Sequence, residues 1–110
     1  MSVSIFRVTV RGQFADLTDD QRVALLADAE AHDIMVSAYT AAGTFTYDTR
    51  VVVFSYRFEV RINSDPVADD AGSEAARIGE EKAILDLQRR GLGWKRLRTE
   101  VANMADIWSD

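Results

Sequence analysis

The segment VVVFSYRFEVRI, residues 51–62, alternates apolar and polar side chains along its whole length. On one face of an extended chain fall Val52, Phe54, Tyr56, Phe58, Val60 and Ile62. The other face carries Ser55, Arg57, Glu59 and Arg61. Because successive side chains of a strand point to opposite faces, the pattern predicts a strand with one buried and one charged face. Its length suits the centre of a sheet.

Five further segments carry strand or helix patterns. A capping box of Thr18 and Gln21 begins a helix that we expect to end near His32. Its apolar stripe at helical spacing is Val23, Leu26 and Ala27. Residues 33–42 fit neither period and predict a connector. The remaining elements are, in chain order, a strand at 3–13, a strand at 44–48, a helix at 73–90 and a strand at 94–102.

The order strand, helix, strand, strand, helix, strand predicts one α+β domain over residues 1–110, of the ferredoxin-like βαββαβ type. Right-handed crossovers then give a four-stranded antiparallel sheet of order 4-1-3-2, with both helices on one face. The other face is uncovered. Two such faces can meet in a homodimer and enclose a dimeric α+β barrel.

The composition restricts the classes of partner. The chain has 110 residues, a net charge of −5 and no cysteine. Proteins that neutralise phosphates usually carry net positive charge, so nucleic acid is disfavoured as a partner. No segment has the pattern of a signal peptide or the length of a membrane span, which favours a cytoplasmic protein without a membrane partner.

Arginines recur on the strands and converge on the uncovered face. The candidate ligand-binding residues there are Arg7, Arg11, Arg57, Glu59, Arg61, Arg96 and Arg98. Arginine forks suit a small anionic or aromatic metabolite, which the face would hold inside the barrel. Two alternatives stay open, a solvated sheet with cross-strand Arg–Glu pairs and a surface that docks another protein. RNA ranks last because the strand aromatics fall on the buried face.

His32 and Asp33 are the candidate catalytic residues. A histidine beside a carboxylate can move a proton, so a cofactor-independent isomerase, cyclase or oxygenase is one hypothesis. The simpler interpretation is a helix-terminal histidine that caps carbonyl groups. A single histidine among scattered carboxylates has no metal-ligand spacing, and no nucleotide- or cofactor-binding motif is present. Whether the protein is an enzyme stays open at this stage.

Several stretches together resemble a bacterial family of small proteins with a domain of unknown function. They are FRVTVRGQFADLTDDQR at 6–22, EAHD at 30–33, GTFTYD at 43–48, FSYRFEVR at 54–61 and MADIWSD at 104–110. The resemblance covers most of the chain and implies a stand-alone domain, with no assigned activity to carry over. The opening also resembles acylphosphatase, but the segment after strand one, residues 12–16, lacks the arginine of that family's phosphate loop.

Overall fold

Four strands and two helices form an α+β domain in the computed structural model, which describes residues 2–33, 38–64 and 71–104. The predicted connector therefore lies partly outside the described residues, at 34–37. The elements are β1 (Ser2–Ala15), α1 (Asp19–Ala27), a 3-10 helix (Ala29–His32), β2 (Thr44–Tyr47), β3 (Val53–Ser64), α2 (Ala71–Arg90) and β4 (Gly93–Asn103).

The strands form one antiparallel sheet of order β2-β3-β1-β4. Read from β4, the same order runs β4-β1-β3-β2. The two strongly alternating strands, β1 and β3, are its central pair, and Val8 lies opposite Phe58. Antiparallel pairing keeps apolar side chains of both strands on one face, so β1 and β3 present a continuous buried surface.

The helix α2 covers this buried surface. Gly79, Ala83 and Leu87 recur along one side of α2 and are buried. Small residues allow close approach: a Cβ on Gly79 would lie 2.5 Å from Cγ1 of Val8, which has no exposed surface. The predicted second helix is confirmed, and it begins at Ala71. We call the face of the sheet opposite α2, which Tyr39 of the connector covers in part, the open face.

The first helix departs from the predicted arrangement. The capping box is confirmed, since Thr18 Oγ1 accepts from Gln21 N at 3.1 Å. The α-helix ends at Ala27, however, and a 3-10 turn replaces its expected last turn. No residue of α1 is fully buried, and Val23 and Leu26 of the predicted apolar stripe are exposed. Of the two described α-helices, α2 is therefore the one that packs across the sheet, whereas α1 contributes the partly buried Leu25 to the core.

Two details of the predicted strands are wrong. Val52 is exposed rather than part of the core face. The Asp48 carboxylate accepts from the N–H groups of Val52 and Val53 and holds a longer turn, so β3 begins only at Val53. In β4, Arg96 has φ +54° beside a register shift against β1. This bulge takes Arg96 out of the alternation that was expected to align it with Arg98.

Candidate ligand-binding site

An open cavity of about 840 Å³ lies between α2, β2 and the 3-10 helix, on the same side of the sheet as α2. It exists because α2 packs against β1, β3 and β4, whereas the short α1 leaves the sheet beside β2 partly uncovered. Residues 41–43 of the connector form one wall. The volume lies within the range typical of small-molecule sites, about 300–1,000 Å³.

The sheet contributes an aromatic floor to the cavity. Phe45 of β2 stacks on Tyr56 of β3, with ring centroids 4.7 Å apart. Tyr56 and Phe58 are parallel, with centroids 5.9 Å apart. Strand alternation puts positions 56 and 58 on the same face, and the β2–β3 register puts Phe45 opposite Tyr56. The three rings line the cavity but are packed closely: Tyr56 and Phe58 are each 2% exposed and Phe45 is 7% exposed. The Arg90 guanidinium lies 4.7 Å from the centre of the Phe45 ring.

The helix contributes a basic rim. Lys82, Arg89 and Arg90 line the cavity together with Asp86. Their spacing places them on neighbouring turns of one side of α2. Lys82 Nζ donates to the carbonyl oxygen of Ala41 at 3.2 Å, across the rim from α2 to the connector. Three cations and one carboxylate leave this rim positive in a chain whose net charge is −5.

Asp86 fixes the position of the rim and the floor. Its carboxylate accepts from Tyr56 Oη at 2.6 Å, from Arg90 Nε at 2.7 Å and from Arg89. Burial opposes its ionisation, but these hydrogen bonds outweigh that effect, so the pKa of the Asp86 carboxyl lies below its ordinary 3.8. Burial and the Asp86 charge raise the pKa of Tyr56. Tyr56 is therefore a permanent hydrogen-bond donor rather than a base.

The Asp86 network predicts a pH-dependent effect of Tyr56→Phe. A carboxyl with a lowered pKa stabilises the fold above its ordinary pKa, and that stability is lost as the pH falls below it. We expect the substitution to lower the free energy of unfolding by about 1–2 kcal/mol at pH 7. The loss should shrink as the pH falls from 3.8 towards the lower pKa that Asp86 has in the folded protein, because protonation removes the charged acceptor. Urea unfolding at pH 7 and below pH 3.8 measures the change in the free energy of unfolding.

Tyr47→Phe is the matched control. Tyr47 is also buried, but its hydroxyl donates to the backbone carbonyl of Leu25, which does not titrate. Its substitution should lower the free energy of unfolding by a similar amount at both pH values. Equal pH dependence of the two variants would contradict the assigned role of Asp86.

His32 reaches the cavity from the 3-10 helix, whereas Asp33 is exposed and does not line it. His32 Nδ1 lies 2.8 Å from the carbonyl oxygen of Phe45, and the ring stacks on Tyr47 at 5.3 Å. A carbonyl only accepts, so Nδ1 carries a proton. In the neutral ring Nε2 is then the acceptor. The structure thus brings His32, but not Asp33, to the cavity.

The predicted arginine site lies on the other side of the sheet. On the open face are Arg7, Arg11, Arg57, Glu59, Arg61 and Arg98, whereas Arg96 lies in the β4 bulge. Both carboxylates of this face are in ion pairs, Glu59 with Arg61 at 3.4 Å and Glu100 with Arg11 at 3.6 Å. The Arg11–Glu100 pair joins β1 to β4, as the solvated-sheet alternative expects, whereas Glu59 and Arg61 both belong to β3.

Tyr39 of the connector also lies on the open face. Its ring is within cation–π distance of Arg7 and Arg57, at 5.0 and 5.4 Å, and its hydroxyl lies 3.0 Å from Thr9 Oγ1. Thr9 is consequently buried although it points away from α2. Neither this contact nor the basic rim of α2 was predicted from the sequence. The spacing of Lys82, Asp86 and Arg89 was the signal available for the rim.

Residues 1–109 match the model of a family described as "Family of unknown function (DUF6204)". The chain belongs to this family. No curated protein and no solved structure matches the chain. In the parts described, 2–33, 38–64 and 71–104, neither helix has the length and hydropathy needed to cross a bilayer. Within those same ranges no three histidine or carboxylate side chains are grouped as metal ligands would be.

Proposed function

We propose that this member of the DUF6204 family binds a small organic anion with a planar apolar body in the cavity beside α2. The observation that carries the proposal is the pairing of an aromatic floor with a basic rim. Phe45, Tyr56 and Phe58 form a rigid apolar lining, and Lys82 and Arg89 place cations at its edge. The planar part of such a ligand would lie against the rings while its carboxylate meets the cations.

The polar groups of the cavity support ligand binding, but they do not indicate one type of reaction. Asp86 is occupied by three donors, and Tyr56 donates to it. His32 lines the cavity, and its Nε2 is an acceptor that can take a proton from a ligand. A cofactor-independent isomerase, cyclase or oxygenase that uses His32 therefore stays a prediction, as does catalysis itself.

The finer parts of the sequence-based hypothesis also stay predictions. These are the ferredoxin-like class, the dimeric α+β barrel, the homodimer, the bacterial origin and the cytoplasmic location. A ligand site on Arg7, Arg11, Arg57, Glu59, Arg61, Arg96 and Arg98 is the competing location for the same class of ligand. Docking of a protein on the open face is the alternative function and uses a surface separate from the cavity.

Calorimetric titration with 2-naphthoate tests the proposal, because this probe combines two fused rings with one carboxylate. We expect measurable binding of 2-naphthoate and much weaker binding of the neutral analogue 2-naphthalenemethanol. Lys82→Glu and Arg89→Glu should each weaken the binding of 2-naphthoate by about 5- to 10-fold, since each replaces an attraction by a repulsion.

Arg77→Glu is the matched control. Arg77 lies on the same helix but is exposed, pairs with Glu81 at 3.0 Å and does not line the cavity. It should leave the affinity within about twofold, which is under 0.5 kcal/mol. Equal binding of the acid and the alcohol, or equal loss in all three variants, would contradict the proposal.

A further inference from the structure

The open face concentrates positive charge on an acidic protein. Its side chains alternate with the buried ones in β1, β3 and β4. Its cations are Arg7, Arg11, Arg57, Arg61, Lys95 and Arg98, and its carboxylates are Glu59 and Glu100. Six cations against two carboxylates leave four net positive charges on this face. Because the whole chain carries −5, all other residues together carry nine net negative charges.

The ion pairs of Glu59 with Arg61 and of Glu100 with Arg11 relieve part of the positive charge of the face. Arg11 lies directly opposite Arg98 in the pairing of β1 with β4, and like charges opposite each other destabilise a sheet. The carboxylate nearest to this pair, Glu100, is already bound to Arg11. Arg7 and Arg57 both lie over the ring of Tyr39, which keeps a second pair of cations close together. A negative partner would relieve the repulsion between Arg11 and Arg98.

We propose that the open face docks an acidic segment of another protein, independently of any ligand in the cavity. Charge complementarity supports this occupant, because carboxylates laid across β3, β1 and β4 would meet cations on all three strands. Arginine suits such contacts, since its planar fork binds carboxylates with two parallel hydrogen bonds.

Two other occupants fit the face less well. A second copy of this chain, placed face to face, would bring two surfaces with four net positive charges each into contact, and like charges across an interface are costly. A nucleic acid extends far beyond one face and would meet the nine net negative charges of the rest of the chain. Tyr39 is also held between two guanidinium groups and a threonine, so it offers little surface for stacking a base.

A fluorescent deca-glutamate peptide is the probe, and fluorescence anisotropy at low ionic strength measures its affinity. We expect the wild-type protein to bind it and added salt to weaken the binding. Arg98→Glu should weaken it by about 5-fold or more, since one attraction of about 1 kcal/mol becomes a repulsion. The same change should raise the midpoint of thermal unfolding, because the introduced carboxylate would then lie opposite Arg11. Lower affinity with higher stability cannot come from misfolding.

Arg77→Glu changes the net charge by the same amount as Arg98→Glu, but on the exposed surface of α2. It should alter the affinity for the peptide by less than about twofold. An equal loss in both variants would overturn the proposal, because the attraction would then come from net charge alone. Absence of binding to the wild-type protein would overturn it as well. A single-stranded oligonucleotide that binds as tightly, with the same loss in Arg98→Glu, would overturn the assignment to an acidic protein.

Discussion

Gly79→Ala is expected to destabilise the protein by about 1–3 kcal/mol, although alanine is the better helix former by about 1 kcal/mol. The added Cβ would lie 2.5 Å from Cγ1 and 3.1 Å from Cβ of Val8. Val8 has no exposed surface and belongs to the central strand β1, so it has no space to retreat into. The helix α2 must then move away from the sheet and lose apolar contacts along its length. Urea unfolding at pH 7 measures the change.

Gly72→Ala gives the control on the same helix. A Cβ there would have Phe6 Cε1 as its nearest neighbour, at an ordinary contact distance of 3.8 Å. That variant should be unchanged or more stable by up to about 1 kcal/mol, through helix propensity and a less flexible unfolded chain. If Gly79→Ala were as stable as Gly72→Ala, the close packing of α2 on β1 would be incorrect.

Gly43→Ala is expected to cost about 2–4 kcal/mol, from backbone strain together with overpacking. Gly43 has φ +88°, and a Cβ would lie 2.1 Å from Cε1 of Phe58. The Phe58 ring is buried in the cavity floor, so the substitution would displace the aromatic surface that the proposed ligand uses. We therefore expect weaker binding of 2-naphthoate in addition to lower stability.

Gly91→Ala separates the two causes. Gly91 also has a positive φ, +73°, but a Cβ there would meet no atom within 4 Å. Its substitution should cost about 1–2 kcal/mol from strain alone and leave ligand affinity unchanged. Equal losses of stability in Gly43→Ala and Gly91→Ala would show that the Phe58 contact is absent.

The sheet was predictable because its signal is local. In β1 and β3 the polarity of each residue indicates which face of the sheet it lies on. The pairing of Val8 with Phe58 then places the apolar faces of the two strands side by side. The exceptions are local events that alternation does not encode. The Asp48 carboxylate binds two backbone N–H groups and releases Val52 from the core face, and the bulge at Arg96 interrupts β4.

The cavity was not predictable in the same way, since it depends on an element that ends early. The apolar spacing of Val23 and Leu26 predicted a helix packed on the sheet, but both side chains are exposed and α1 stops at Ala27. The sheet beside β2 is therefore left uncovered next to the basic residues of α2. In the sequence, Lys82 and Asp86 have the pattern of a solvated helix surface. Only the tertiary structure places them around the cavity that Tyr56 also lines.

The position at which an organic anion binds is the central claim, and an amide shift titration of the isotope-labelled protein with 2-naphthoate tests it most directly. If the anion binds in the cavity, we expect the largest amide shifts on residues 82–90 of α2 and 43–46 beside the aromatic floor. We also expect the 2-naphthalenemethanol titration to leave residues 82–90 nearly unshifted. The largest shifts on residues 7–11 and 98–100 would contradict the account, because the ligand would then bind the arginines of the open face.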